Sequence, residues 1–329
     1  MNDVTHRVVR IWSIYTHVVV GLGRSQNKWL HPLTLAMKKI SRFIVFVIQF
    51  GLINGIHKIR NSRLILIPVI DSLKPRGSSI TDSALMPSYS TMCGMAASDD
   101  STFVEFRKYS VLVQAFDHVS YAQGLGYLSE IKTFGEWKPR YAKVIEEIDA
   151  VGNPNRYKFS NFGTFSPTLL RYLKVFLEIE SLIAPLKDKS IAEIGVGFGG
   201  QASLIDKLSP TSNYIFYDIP PVLELTKKFV TSHGMQGNLE FRDGRVPESC
   251  SVDVVISNYA FSEIAKPIQT AYLYNVILKS KSGYITWNNL SANQLGGYSL
   301  ADLIRLIPNS QIFPEKPYTY DGNVIIVWK

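Results

Sequence analysis

The chain has 329 residues, 46% of them hydrophobic, and a formal net charge of +8. That length allows two domains or one large one, and the hydrophobic share supplies a sizeable core. Two cysteines, Cys93 and Cys250, exclude a disulfide framework and a cysteine-only zinc site, and suit a reducing compartment.

The charge is unevenly spread. Residues 1–76 carry twelve Lys/Arg against Asp3 and Asp71, a net +10, which leaves −2 for the rest of the chain. Apolar runs at Ile11–Leu22, Phe43–Ile56 and Leu64–Ile70 alternate there with basic clusters. Each run is shorter than the roughly 18 residues that a membrane-spanning helix needs. His17 interrupts the first run, and no clear cleavage site follows, so a signal peptide is a poor reading. Two readings stand side by side for this segment. One is an anchor lying peripherally on an anionic membrane surface, at its cytoplasmic face; the other is an ordinary helical subdomain with solvated basic faces. A nucleic-acid-binding arm ranks below both. Residues 77–100, rich in Ser, Gly, Pro and other small residues, read as a linker.

Residues 101–185 read as a helical cap or acceptor region. Apolar positions 103, 106, 112, 113, 116 and 119 predict a helix over Ser101–Val119, and a second is expected over Tyr141–Ala150. A turn-rich aromatic stretch, GNPNRYKFSNFGTFSP, follows. It ends on Ser166 as an N-cap and Pro167 at the first helical position, which predicts a helix through PTLLRYLKVFLEIESLI.

Residues 186–329 read as one α/β domain. Strands are expected at 190–194, 213–217, 238–242, 252–257 and 283–287, with helices at 200–208, 220–232, 267–279 and 299–306. That rhythm is a parallel sheet with helices on both faces. The last twenty residues predict two strands with no helix between them, a closing antiparallel hairpin. The expected fold is therefore a Rossmann-like, mostly parallel sheet of the class I methyltransferase type, preceded by a helical region.

The stretch SIAEIGVGFGGQASLID fits two templates. Gly195, Gly197 and Gly200 fit the dinucleotide fingerprint G-x-G-x-x-G. Glu193, Gly195, Gly197 and Gly199 fit the acid-x-G-x-G-x-G of methyl transfer. Glu193, set against an ordinary surface glutamate at a strand end, and the closing hairpin, foreign to the simple dinucleotide fold, decide between them. A pyrophosphate is anionic and seeks helix N–H groups, so a carboxylate beside it is adverse. The sulfonium and amino groups of S-adenosylmethionine are cationic, so an acid is favourable. Asp218, closing the second strand, suits ribose hydroxyls in either cofactor class, and equally suits capping of the helix that begins at Pro220.

Together, GNPNRYKFSNFGTFSPTLLRYLKVFLEI, IAEIGVGFGGQASLI, YIFYDIPPVLEL and SNYAFSEI resemble the bacterial sugar O-methyltransferase family over roughly residues 100–329. Residues 1–76 lie outside that resemblance. It implies methyl transfer from S-adenosylmethionine to a sugar hydroxyl of a surface polysaccharide or related glycan. It also implies that Asp243, past the third strand, receives the adenine amino group, and that Asn258 ends the fourth strand at the cofactor. The expected cofactor-binding residues are Glu193, Gly195, Gly197, Gly199, Asp218, Asp243 and Asn258.

A sugar hydroxyl needs a general base near the methyl group. Glu263, after the fourth strand, is the first candidate, set against an exposed helix-start glutamate. His118 is the second, set against a structural histidine. His233 is explained by the helix end beside Gly234. Tyr157, Phe162 and Tyr259 could stack on a sugar or adenine, although core packing explains aromatics equally well. No metal motif is present. The rival readings are a nucleic-acid methyltransferase, a non-catalytic subunit that kept the fold, and a nicotinamide dehydrogenase.

Overall fold

The computed structural model describes residues 88–329. The expectations for residues 1–76, and for the first part of the linker, fall outside the described residues. The second part of that linker is a helix, α1 (Ser88–Ser98), which packs on the sheet domain. Its small residues suit close packing: Tyr89, Cys93 and Ala96 are buried in the core.

The expected helix over 101–119 is broken into α2 (Asp100–Glu105), a 3-10 turn (Phe106–Lys108) and α3 (Ser110–Phe116). The break lies at Arg107, whose guanidinium is wholly buried. It donates to Asp117 (Nε–Oδ2 2.8 Å), Asp149 (Nη1–Oδ1 3.0 Å) and Ser166 (Nη2–Oγ 3.1 Å). Next come α4 (Tyr121–Thr133) and α5 (Pro139–Asp149). The turn-rich aromatic stretch forms a small hairpin of β1 (Tyr157–Phe159) and β2 (Gly163–Phe165). Then α6 (Pro167–Leu182) starts on Ser166, whose hydroxyl accepts from Leu169 N–H. The cap region therefore includes a hairpin as well as helices.

The sheet domain follows the expected order: β3 (Ser190–Ile194), α7 (Gly200–Leu208), β4 (Asn213–Asp218), α8 (Pro220–Ser232), β5 (Asn238–Asp243) and β6 (Val254–Asn258). After these come α9 (Ala260–Glu263), α10 (Lys266–Asn275), β7 (Ser282–Trp287), α11 (Leu290–Gln294), α12 (Leu300–Leu306), β8 (Gln311–Pro314) and β9 (Val324–Trp328). The strand order is β5-β4-β3-β6-β7-β9-β8. The first five strands are parallel, whereas β9 runs antiparallel to both β7 and β8. This is the expected Rossmann-like, mostly parallel sheet with its closing antiparallel hairpin.

Side chains alternate between two cores, as the strand period of two requires. Ile191, Tyr214, Phe216 and Ile256 join the core that contains α6, α7, α8 and the cap; Ala192, Ile194, Ile215 and Val255 join the core under α10 and α12. By the same alternation Glu193 lies on the Ile191 face. The chain pairs β3 with β4 on one side and crosses to β6 on the other. Ligands of open α/β sheets bind at such a switch point, beyond the strands' carboxyl ends.

Candidate functional site

A cavity of about 410 Å³ opens at that switch point. Its floor is the loop after β3. Gly195 has φ +75°, and a Cβ there would collide with the Cβ of Ala260. A side chain at this position would therefore meet both a strained backbone and a neighbour. Gly197 also faces the cavity. Phe198 points the other way, into an aromatic cluster with Phe116 and Phe229 at ring distances of 5.5 and 4.9 Å, and the Arg107 guanidinium lies 4.7 Å from its ring centre. That packing pins the loop to the cap. Gly199 caps α7 with φ +87° and stands behind the wall rather than on it.

Glu193 is buried at the end of β3, and its Oε2 accepts from the Tyr214 hydroxyl at 2.6 Å. Burial pushes its carboxyl up to about 8, assisted by the nearby Asp218 charge and opposed by the Tyr214 hydrogen bond. Without a cation beside it, Glu193 is mostly protonated at neutral pH. Asp218 lies on the cavity wall and does not cap α8, whose N-cap is Ile219 with no side-chain cap bond. The Asp218 Oδ1 accepts from Ile219 N–H at 2.8 Å, at the start of α8, and its Oδ2 accepts from Gly197 N–H at 3.1 Å.

Asn258 lies on the cavity wall at the tip of β6. Asp243 does not. Arg245 engages both its oxygens, at 2.9 Å to Oδ1 and 2.6 Å to Oδ2, which holds the carboxyl below its usual range. Its neighbours Gly244 and Arg245 line the cavity instead.

Both candidate bases reach the cavity. Glu263 is half-buried, and its Oε1 accepts from Asn288 Nδ2 at 2.8 Å. Burial raises its carboxyl, against that hydrogen bond. His118 has accessible surface, but that surface opens on the cavity, where protein replaces much of the solvent. Desolvation and the positive Arg171 hold its imidazole down to about 4, so it is neutral at physiological pH.

Of the three candidate stacking residues, only Tyr259 lines the cavity. Tyr157 packs against Tyr121 and Phe162 against Trp137, both in the cap. Tyr259 has φ +67°, a strained position for a bulky residue. Its hydroxyl donates to Glu315 and lies 3.2 Å from Thr319 Oγ1, both in the segment between β8 and β9. His233 sits at the C-terminal end of α8 with Nδ1 2.8 Å from the Phe229 carbonyl. Among the described residues, no cluster of His, Cys, Asp and Glu could hold a metal ion, and no helix is long and apolar enough to cross a membrane.

The sequence reading passed over Arg171, Tyr172, Tyr127 and Gln123, which also line the cavity. A charged residue inside the apolar run LLRYLKVFL was the available signal for Arg171. Nothing in the local pattern marks Tyr127, which reaches the wall from α4.

No protein-family model matches the chain, and no curated protein matches it. The structure is similar to solved structures at low identity. Thermoplasma acidophilum 1320 is 15% identical with a TM-score of 0.38, over 58% of this chain and 97% of that one. An O-methyltransferase family protein from Burkholderia thailandensis is 13% identical with a TM-score of 0.35, over 46% and 53%. An O-methyltransferase family 2 protein from Planctomyces limnophilus, solved with apigenin, is 14% identical with a TM-score of 0.34, over 45% and 52%.

Proposed function

We propose that the chain is an S-adenosylmethionine-dependent O-methyltransferase that acts on a sugar hydroxyl of a surface glycan. One observation carries the cofactor: an acid, Glu193, ends the first strand of a methyltransferase-type sheet beside a glycine loop whose backbone lines the cavity. Glu193 and Asp218 would hold the cationic and hydroxyl-bearing parts of the ligand, and Gly195 and Gly197 would let its body lie on the backbone. Supplied with the activated methyl group by that cofactor, the protein has to align an acceptor oxygen and remove its proton. Glu263 and the neutral His118 are the two groups on the wall able to take the proton. The hydroxyl-bearing wall, with Tyr127, Tyr259 and Thr319, suits a polar acceptor. The resemblance of the GNPNRYKFSN and NYAFSEI stretches to sugar O-methyltransferases supports the sugar. The basic segment 1–76 would hold the protein at the inner face of the membrane, where glycan precursors are built; flotation with anionic liposomes tests this.

Calorimetric titration with S-adenosylmethionine and with NADH tests the cofactor. Binding of the first alone is expected, and binding of NADH alone would make this a dehydrogenase. Mass spectrometry of host glycans with and without the gene tests the acceptor: loss of one methyl group per modified sugar is expected. Methylation that disappears from nucleic acid instead would replace the sugar reading.

A further inference from the structure

Arg171 lies immediately past the first turn of α6 and is about nine-tenths buried. It is on the cavity wall. No carboxylate among the described residues lies within ion-pair distance of it, and its Nε has no acceptor. Its surroundings are phenols. Tyr172 lies beneath it, with the guanidinium carbon 5.3 Å from the ring centre, and Tyr127 and Tyr259 are the other groups that act on its charge. Every other buried Arg or Lys among the described residues has an acid. Arg107 has two, and Lys174 has Glu178 at 2.6 Å. Even Glu315, close enough to bond Tyr259, is spent on Thr319 and Asn323. A guanidinium without a counter-ion at this depth is costly. On the wall of a cavity and beside phenols, it is compensated when a ligand brings the anion, in the planar, forked geometry that suits arginine.

We propose that Arg171, with the hydroxyl of Tyr127, is a subsite for a ligand carboxylate. Two sources have that chemistry: the amino-acid end of the cofactor and an acid group on the acceptor, as in a uronic acid. Which source it is depends on the methyl-transfer reading, but the subsite does not.

The test uses the full chain, as wild type, Arg171→Gln and Arg171→Lys, and calorimetry with two matched pairs. S-adenosylhomocysteine is compared with methylthioadenosine, which keeps the adenosine and sulfur but lacks the amino-acid tail. Glucuronate is compared with glucose, alone and with S-adenosylhomocysteine present. Arg171→Gln is expected to weaken the carboxylate-bearing member of one pair by about tenfold or more, without weakening its partner. Arg171→Lys is expected to restore part of that loss. The pair affected names the source. Because the lost charge was unpaired, Arg171→Gln is also expected to melt no lower than wild type. Equal affinity of wild type and Arg171→Gln for both carboxylates would overturn the proposal, as would equal loss within a pair, or a wild type that binds neither carboxylate. If wild type binds neither adenosine compound, the methyl-transfer reading fails separately, and the glucuronate pair still decides the subsite.

Discussion

A cation that settles beside Glu193 has to displace a proton. The carboxyl sits near pH 8 when buried alone, against an ordinary value of 4.5. That difference corresponds to about 4–5 kcal/mol of resistance to ionisation. At pH 7 the group is about nine-tenths protonated, at pH 8 about half, and at pH 9 about one-tenth. A sulfonium or ammonium group within a few ångströms favours the ionised form and returns the carboxyl toward its usual range. Binding of S-adenosylmethionine at pH 7 is therefore expected to release about 0.9 proton, falling to about 0.1 at pH 9. Titration in phosphate and in Tris, whose ionisation enthalpies differ widely, reads this directly: the observed heats should diverge at pH 7 and converge at pH 9. Affinity should rise by about tenfold per pH unit up to pH 8 and then level off. Glu193→Gln should abolish the buffer dependence and weaken binding. The free protein provides a second readout with a definite sign. An acid raised by folding binds more protons folded than unfolded, so stability is lost as pH rises from about 4.5 through about 8, and Glu193→Gln should flatten that decline. Equal heats in the two buffers at pH 7, with tight binding intact, would refute the reasoning.

The glycine loop offers a test in two steps. Gly195→Ala combines a positive φ with a collision at Ala260, for a loss of about 2–5 kcal/mol in urea denaturation. Adding Ala260→Gly should return the collision share, about 1–3 kcal/mol, judged through a double-mutant cycle; no coupling would mean that the loop relaxes freely. Arg107→Met leaves Asp117 and Asp149 buried without their cation and should cost about 3–5 kcal/mol, whereas a loss below about 1 kcal/mol would show that the network is dispensable. The two candidate bases separate by pH. If Glu263 takes the proton, turnover rises with pH above the usual carboxylate range, and Glu263→Gln abolishes it while S-adenosylhomocysteine still binds. If His118 does, turnover stays flat down to about pH 4, and His118→Gln abolishes it instead.

The sheet domain was legible because its signals are local. Ser166-Pro167 marks the start of α6 to the residue, and the runs SIAEI and NYIFYD alternate with glycine and proline punctuation that only short buried strands tolerate. The cap was legible at α5 and α6 only, because tertiary packing overrode composition in the rest of it. In α4, Gly124 and Gly126 depress helix propensity, but a side chain at Gly124 would strike Phe159, and one at Gly126 would press on Pro317. The capping box formed by Ser120 and Gln123 was the readable clue to that helix. In α1, composition suggested a linker, yet the same small residues are what a close helix contact needs. In the site, Glu193, Gly195 and Gly197 could be read because a motif fixes their spacing, although Gly199 of the same motif stands behind the wall. Arg171, Tyr127 and Thr319 come from three segments that only the fold brings together, and no spacing in the chain encodes their meeting. Asp243 shows the opposite difficulty. Its place in the chain suggested a ligand contact, but Arg245, two residues on, holds the carboxylate and Asp243 is not on the cavity wall.

Arg107 has an implication for engineering. Its guanidinium joins Asp117, the neighbour of His118, to Ser166, the cap of the helix that carries Arg171. The two cavity-facing groups that differ most from a generic cofactor cradle thus hang from one rivet. A chimera that imports residues 101–171 whole would bring that rivet along with its own acids. A cut between Arg107 and Ser166 would split the rivet between two parents, so crossover points for altering acceptor choice belong outside that span.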